Sequence, residues 1–232
     1  MFPWFIWKNQ NSDSNGLWIS KLPPITRAQE RTQDITVPGR AGVLTMKQGE
    51  DVYDPVLRKC TVTARNAMNL QPLLDWLRGE GELIFSNEID MVYHARISAE
   101  VAFARISPDL CQAQIQFLCE PFKGHRHADK DKVTMTAAGT VHNPGDVASK
   151  PIVKVTGANS NCTVTIGTQA MTFNSLNETI TVDCGAQLVL KADGTLWGGT
   201  FEGAFWKIPK GESAVTIGNA TQVEIQPEWR WV

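Results

Sequence analysis

Val141 to Gly157 reads VHNPGDVASKPIVKVTG, and the placing of its turn-forming residues decides the architecture. Strand-like sequence precedes it, yet Asn143-Pro144-Gly145 and Lys150-Pro151 break the chain before a new alternating run begins at Val153 and Val155. Proline fixes φ and removes a backbone donor, while Asn and Gly admit turn and left-handed backbone. A rigid turn followed by renewed alternation marks the first strand of a second β domain. From there on, Cys162/Val164/Ile166, Ile180/Val182, Leu188/Leu190, Val215/Ile217 and Val223/Ile225 are short period-two runs in Thr-, Asn- and Gly-rich sequence, the pattern of a β-sandwich. No internal repeat of solenoid or propeller length accompanies them.

The sequence before this stretch is also mainly β. Phe5 to Lys8 and Leu17 to Lys21 flank a turn-rich segment and are expected to form a hairpin, Val37 to Gly42 is a second turn, and Lys59 to Ala64 alternates. Strands are expected again at 82–86, 91–97 and 101–106, and most clearly where Cys111, Ala113, Ile115, Phe117 and Cys119 alternate with Gln112, Gln114 and Gln116 before Glu120-Pro121-Phe122 ends the run. One helix interrupts the strands near 69–78: Leu70, Leu73, Leu74 and Leu77 form one stripe, Asn69 is placed to cap, Pro72 falls in the first turn and Gly79 closes the end. Trp76 belongs at the edge of that packing surface. Residues 123–132 hold four basic and two acidic side chains and read as a solvated connector, so the domains are 1–130 and 131–232.

Composition narrows the function. The chain of 232 residues has 22 basic and 24 acidic side chains, without the basic surplus that phosphate contacts demand. The five cysteines, Cys60, Cys111, Cys119, Cys162 and Cys184, are odd in number, widely spaced and without a CxxC pair, which fits buried free thiols. Met1 to Trp7 is apolar but lacks the basic lead and cleavage site of a signal peptide, so the chain reads as made in the cytoplasm, with these aromatics pairing into a sheet or packing on a neighbour.

The search for chemistry yields no catalytic, cofactor-binding or metal residue. His125 and His127 lack further ligands, His94 sits in a strand beside Tyr93, and His142 stands alone. Nucleophile-elbow, phosphate-loop and dinucleotide motifs are missing. Glu80/Glu82 and Glu50/Asp51/Asp54 are carboxylate clusters without a legible partner across a cleft, and Asp183 and Asp193-Gly194 lack calcium-loop spacing. The triplets at Asn161, Asn177 and Asn219 match the glycosylation pattern but read as incidental in an Asn- and Thr-rich domain. Trp197, Phe201, Phe205, Trp206, Trp229 and Trp231 crowd the C-terminal region and suit core packing, a subunit interface or sugar stacking.

In order and spacing, several segments together resemble the distal tail (Dit) protein family of long non-contractile-tailed phages and prophages. They are Leu17-Trp-Ile-Ser-Lys-Leu-Pro-Pro-Ile-Thr-Arg27, Pro38 to Gly42, Leu73-Leu-Asp-Trp-Leu-Arg-Gly-Glu-Gly-Glu-Leu-Ile-Phe-Ser86 and Gln114 to Phe122, then Asn143 to Pro151, Trp206-Lys-Ile-Pro-Lys-Gly211 and Ile225-Gln-Pro-Glu-Trp-Arg-Trp231. The resemblance implies a barrel-like or split-barrel-like N-terminal domain with one helix and a galectin-like or carbohydrate-module-like C-terminal sandwich. It further implies a non-enzymatic structural hub in the virion tail tip or baseplate. Six copies would form a ring joining the tail tube to distal tail components, with a channel for DNA. A ring of one chain needs heterologous contacts, for which the N-terminal aromatics and exposed strand edges are the expected material. The alternative is a lectin-like protein stacking a sugar on Trp197, Trp206 or Trp229.

Overall fold

The computed structural model describes residues 3–65 and 69–232, and the chain divides into two compact units, Met1–Arg126 with Val232, and His127–Trp231. The first contains β1 (Phe5–Trp7), β2 (Gln10–Asn11), β3 (Leu17–Lys21), β4 (Thr32–Thr36), β5 (Val43–Lys47), β6 (Val56–Arg65), α1 (Gln71–Trp76), β7 (Glu80–Phe85), β8 (Met91–Ile97), β9 (Ala104–Arg105) and β10 (Leu110–His125). One antiparallel sheet runs β2-β1-β7-β8-β10-β6-β3, with β9 on β10, while β4 and β5 pair only with each other.

The hairpin expected between 5–8 and 17–21 does not form. The backbone turns at once through Lys8 and Asn9, both at positive φ, so β1 pairs with β2, and β3 instead joins β6 on the other side of the sheet. Ser12 ties these distant strands together and curls the sheet. Its N–H donates to the Phe5 carbonyl at 2.8 Å, its hydroxyl accepts the Phe5 N–H at 3.1 Å, and its carbonyl accepts the Leu17 N–H at 2.9 Å.

Inside the curl, Phe117 packs against Phe5, Trp7 and Phe85 at 5.6, 5.3 and 6.0 Å between ring centroids. Phe5 and Trp7 are therefore core residues of their own chain: they pair into its sheet, the first of the two expectations for these aromatics, and are unavailable to pack on a neighbour, the second. The helix is shorter than expected and starts from Leu70, with no side-chain cap from Asn69. Leu70, Leu73 and Trp76 pack on the core with the buried Leu77. Trp76 stacks on Phe5 at 5.8 Å, and Trp7 and Trp76 each donate an indole N–H to the other's carbonyl at 3.2 Å.

Two expectations near the C-terminal end of this unit also fail. Residues 101–106 supply only the short β9. Pro121 does not end β10, because a register shift between Cys119 and Lys123 places the proline in a bulge and pairing with β8 resumes at Lys123.

The second unit holds β11 (Val133–Met135), β12 (Gly139–Asn143), β13 (Ile152–Gly157), β14 (Ser160–Ile166), β15 (Gln169–Leu176), β16 (Thr179–Asp183), β17 (Leu188–Lys191), β18 (Phe201–Gly203), β19 (Gly211–Gly218) and β20 (Ala220–Gln226). They form two antiparallel sheets, β11-β20-β13-β16-β17 and β12-β19-β14-β15-β18. Val153, Val155, Ile180, Val182, Val223 and Ile225 from the first meet Cys162, Val164, Ile166, Met171, Phe173 and Val215 from the second, which makes the unit a β-sandwich. The Asn143-Pro144-Gly145 turn is anchored by the buried Asn143, whose amide donates to the Val147 and Ile208 carbonyls at 3.1 and 2.9 Å and whose Oδ1 accepts the Gly145 N–H at 2.8 Å.

Candidate functional site

The β4–β5 hairpin is the feature that the rest of its unit leaves uncovered. Every residue of both strands is exposed. Register separates its faces: the pairs Gln33–Met46 and Ile35–Leu44 share one face, whereas Thr32–Lys47, Asp34–Thr45 and Thr36–Val43 share the other. Apart from Gln33 the first face is apolar, with Ile35 at 37%, Leu44 at 39% and Met46 at 51% exposure. The second is mostly polar and carries a hydrogen bond of 2.6 Å from the Thr45 hydroxyl to Asp34. A two-stranded sheet is marginal in water by itself, and an uncovered apolar face on it marks a contact surface.

The hairpin is nonetheless held at its foot. Arg31 meets Asp54 at 2.7 Å, Lys47 meets Glu30 at 2.7 Å, Glu30 bridges to Tyr53, and Tyr53 packs edge-on against Phe122 at 5.6 Å. Gly39 and Gly42 adopt positive φ in the Val37–Gly42 turn that the sequence indicated.

Beneath the foot lies an ionic cluster that the sequence reading missed. Arg58 is 3% exposed and lies two residues before Cys60 on the inward face of β6, so the period that identified Cys60, Val62 and Ala64 as core also points Arg58 inward. Its guanidinium donates to the carbonyls of Pro24 (2.9 Å) and Thr26 (3.1 Å) and to the Tyr93 hydroxyl (2.9 Å), and lies 3.6 Å from Glu88. Glu88 also accepts from Tyr93 at 2.5 Å and from Lys123 at 2.6 Å. Lys123 is thus a half-buried ion-pair partner and not a solvated connector residue. Burial, reinforced by the hydrogen bond to Glu88, holds the Tyr93 phenol well above its usual range. The cluster positions the 22–28 segment that leads to the hairpin.

The other candidates resolve into structure. Among the described residues no three His, Cys, Asp or Glu side chains converge as a cation site. His94 lines an open cleft of about 700 Å3 with Glu80, Glu82, Arg96 and Glu120, on the register pairs Glu82–His94 and Glu80–Arg96. His125 lies in β10, and His127 and His142 are exposed. Glu50 and Asp51 are exposed beside the Arg31–Asp54 pair. Asp183 accepts the Ala186 N–H at 2.8 Å, and Asp193 accepts the Thr195 N–H and hydroxyl at 2.9 and 2.6 Å. The Thr195 bonds lower the Asp193 pKa. Asn161 and Asn219 brace adjoining turns, Asn161 by accepting the Ser175 N–H at 3.0 Å and Asn219 by donating to the Asn161 carbonyl at 3.2 Å. All five cysteines are buried free thiols, and burial pushes Cys60, Cys119 and Cys184 up to about 12.

The C-terminal aromatics divide. Trp206 (0% exposed) and Trp229 sit in the sandwich core, and Trp206 donates its indole N–H to the Gln169 carbonyl at 3.1 Å. Neither can stack a sugar. Trp197 is half-buried and lines a cleft.

A mainly β chain with a curled sheet carrying one short helix, followed by a β-sandwich, has the Dit-like fold. Among solved structures, the crystal structure of the SPP1 Dit protein (gp 19.1), described as a paradigm of the hub adsorption apparatus in phages infecting Gram-positive bacteria, is similar over 100% of both chains with a TM-score of 0.77. Sequence identity is 10%, so the likeness is one of fold. No protein-family model matches the chain, and no curated protein is similar to it in sequence.

Proposed function

We propose that the protein is a non-enzymatic hub of a phage or prophage tail tip, and that it works as a closed ring of six copies joining the tail tube to distal tail components around a passage for DNA. The observation that carries this reading is the end-to-end fold likeness to a phage hub protein, which spans both units. Fold alone never fixes function. The reading is supported further by the amphipathic β4–β5 hairpin, which offers an apolar face where a self-assembling chain needs one. Head-to-tail burial of that face in the next copy gives a heterologous contact, and such contacts generate rings when the rotation closes. Absence of a basic surplus suits a passage that lets DNA slide. In this reading the protein resides in the virion and is made in the host cytoplasm.

The test is light-scattering mass across a concentration series for the wild-type chain and for Leu44→Lys/Met46→Lys. Both side chains are exposed, so the variant folds, and the expected result is self-association in the wild type that the variant loses. Equal masses for the two would remove the hairpin from the assembly, and a monomeric wild type would remove the ring.

A further inference from the structure

We infer that the second unit carries a binding site for a neutral pyranose at Trp197, in a cleft of about 460 Å3 formed where the end of β15, the turn into β16, β17 and the loop before β18 come together. The inference rests on the sandwich alone and holds whether or not the chain forms a ring. A pyranose presents an apolar C–H face and a rim of hydroxyls, so its receptor needs one fixed aromatic ring beside polar groups that both donate and accept.

Trp197 meets the first requirement. Its backbone N–H donates to Val189 at 2.9 Å, its indole N–H donates to Glu178 at 3.2 Å, and its ring meets Phe173 at 5.9 Å between centroids and 71° between planes. The ring lies back over Gly199, where any Cβ would fall 2.1 Å from Cζ2, so the Gly198-Gly199 pair makes room for this orientation. The ring is therefore preorganised, which lowers the ordering cost of binding. With Trp206 and Trp229 buried, Trp197 is the member of the three candidate tryptophans that lines an open cleft.

Asn174, Asn177, Glu178, Lys191 and Thr200 meet the second requirement around the same cleft. Asn174 is held by bonds of 3.0 Å from its N–H to the Thr200 carbonyl and from its amide to the Thr200 hydroxyl. Asn177 is exposed, and its side chain makes no hydrogen bond among the described residues, so it is available to a hydroxyl. Glu178 and Lys191 contribute one charge of each sign, which selects for a neutral sugar over an acidic or phosphorylated one. The site is small and open, and its single-copy affinity is expected to be weak. Several copies presented together would raise it by about 10²–10⁴.

The labelled wild-type chain would be applied to an array of neutral hexose and N-acetylhexosamine oligosaccharides printed beside sialylated and phosphorylated ones. The strongest neutral oligosaccharide would then be titrated by saturation-transfer NMR against the wild type, Trp197→Ala and Asn177→Ala. Expected are selective retention of neutral glycans, a loss of about tenfold or more for Trp197→Ala and a smaller loss for Asn177→Ala, with tenfold equal to about 1.4 kcal/mol. Asn177→Ala removes no bond within the chain, so it reports binding even if Trp197→Ala disturbs the fold. Absence of neutral-glycan binding, retention of acidic glycans only, or binding that both variants leave unchanged would overturn the site. A glycan-binding monomer would leave it standing while removing the hub, and a ring that binds no glycan would do the reverse.

Discussion

Replacing Arg58 by Met probes the buried cluster that anchors the segment before the hairpin. The guanidinium makes three hydrogen bonds, to Pro24, Thr26 and Tyr93, and faces Glu88 at 3.6 Å. Methionine fills much of the volume but strands these acceptors and leaves Glu88 with the Lys123 ammonium as its one cation beside the Tyr93 hydroxyl. Breaking a buried ion pair by removing one partner costs about 3–5 kcal/mol, a large part of the 5–15 kcal/mol typical of a whole domain. With a urea dependence of about 2 kcal/mol per molar, the unfolding midpoint of the first unit should fall by roughly 2 M. The assay is urea denaturation with hydrogen exchange followed on peptides from β6 and β8, which reports that unit specifically. Arg58→Lys should recover only part of the loss, since one ammonium cannot span two carbonyls and a phenol. Removing the charges together, as Arg58→Met/Glu88→Gln/Lys123→Met, should recover more. A midpoint for Arg58→Met within about 0.3 M of wild type, corresponding to about 0.6 kcal/mol, would refute the anchoring role.

Three further outcomes follow from the packing. Trp206→Phe keeps a ring in the sandwich core but leaves the Gln169 carbonyl without its donor, and should cost about 1–3 kcal/mol by thermal unfolding. Gly157→Ala should destabilise the second unit by about 1–3 kcal/mol, read in the same way, because the new Cβ would fall 2.3 Å from the backbone oxygen of Leu176. Cys60, Cys119 and Cys184 are each raised from 9.0 to about 12, so the folded state holds their protons after the unfolded chain has begun to release them. The associated stability is fully present below pH 9 and is lost as pH rises from 9 towards 12, by up to about 1.4 kcal/mol per thiol per pH unit, and urea midpoints measured across pH 8–11 should decline accordingly.

What was legible in the sequence were the elements whose period is local. The alternation from Cys111 to Cys119 became the inward face of β10, and the short runs after Pro151 became the strands of a sandwich. Pairing was not legible, because the turn-rich segment before Leu17 allows either a hairpin or a crossing, and it is Ser12 bonding to both Phe5 and Leu17 that ties the strands in their actual places. Charge misled at Lys123, which reads as solvent-facing until Glu88 is brought to it from 35 residues away in the chain. Aromatic content likewise gave no depth: Trp197 and Trp206 look alike in sequence, yet one lines a cleft and the other is enclosed. For the hairpin, Leu44 and Met46 alternate on one strand while Ile35 stands on the other, and only the register of β4 on β5 brings the three to one face.

The most direct test of the central claim is negative-stain imaging of the purified full-length chain, with its mass measured on the same sample. A six-membered hub gives closed six-fold rings with a central opening and a mass of six copies of 25.6 kDa, about 154 kDa. Particles of one copy at every concentration, or open chains that never close, would contradict it.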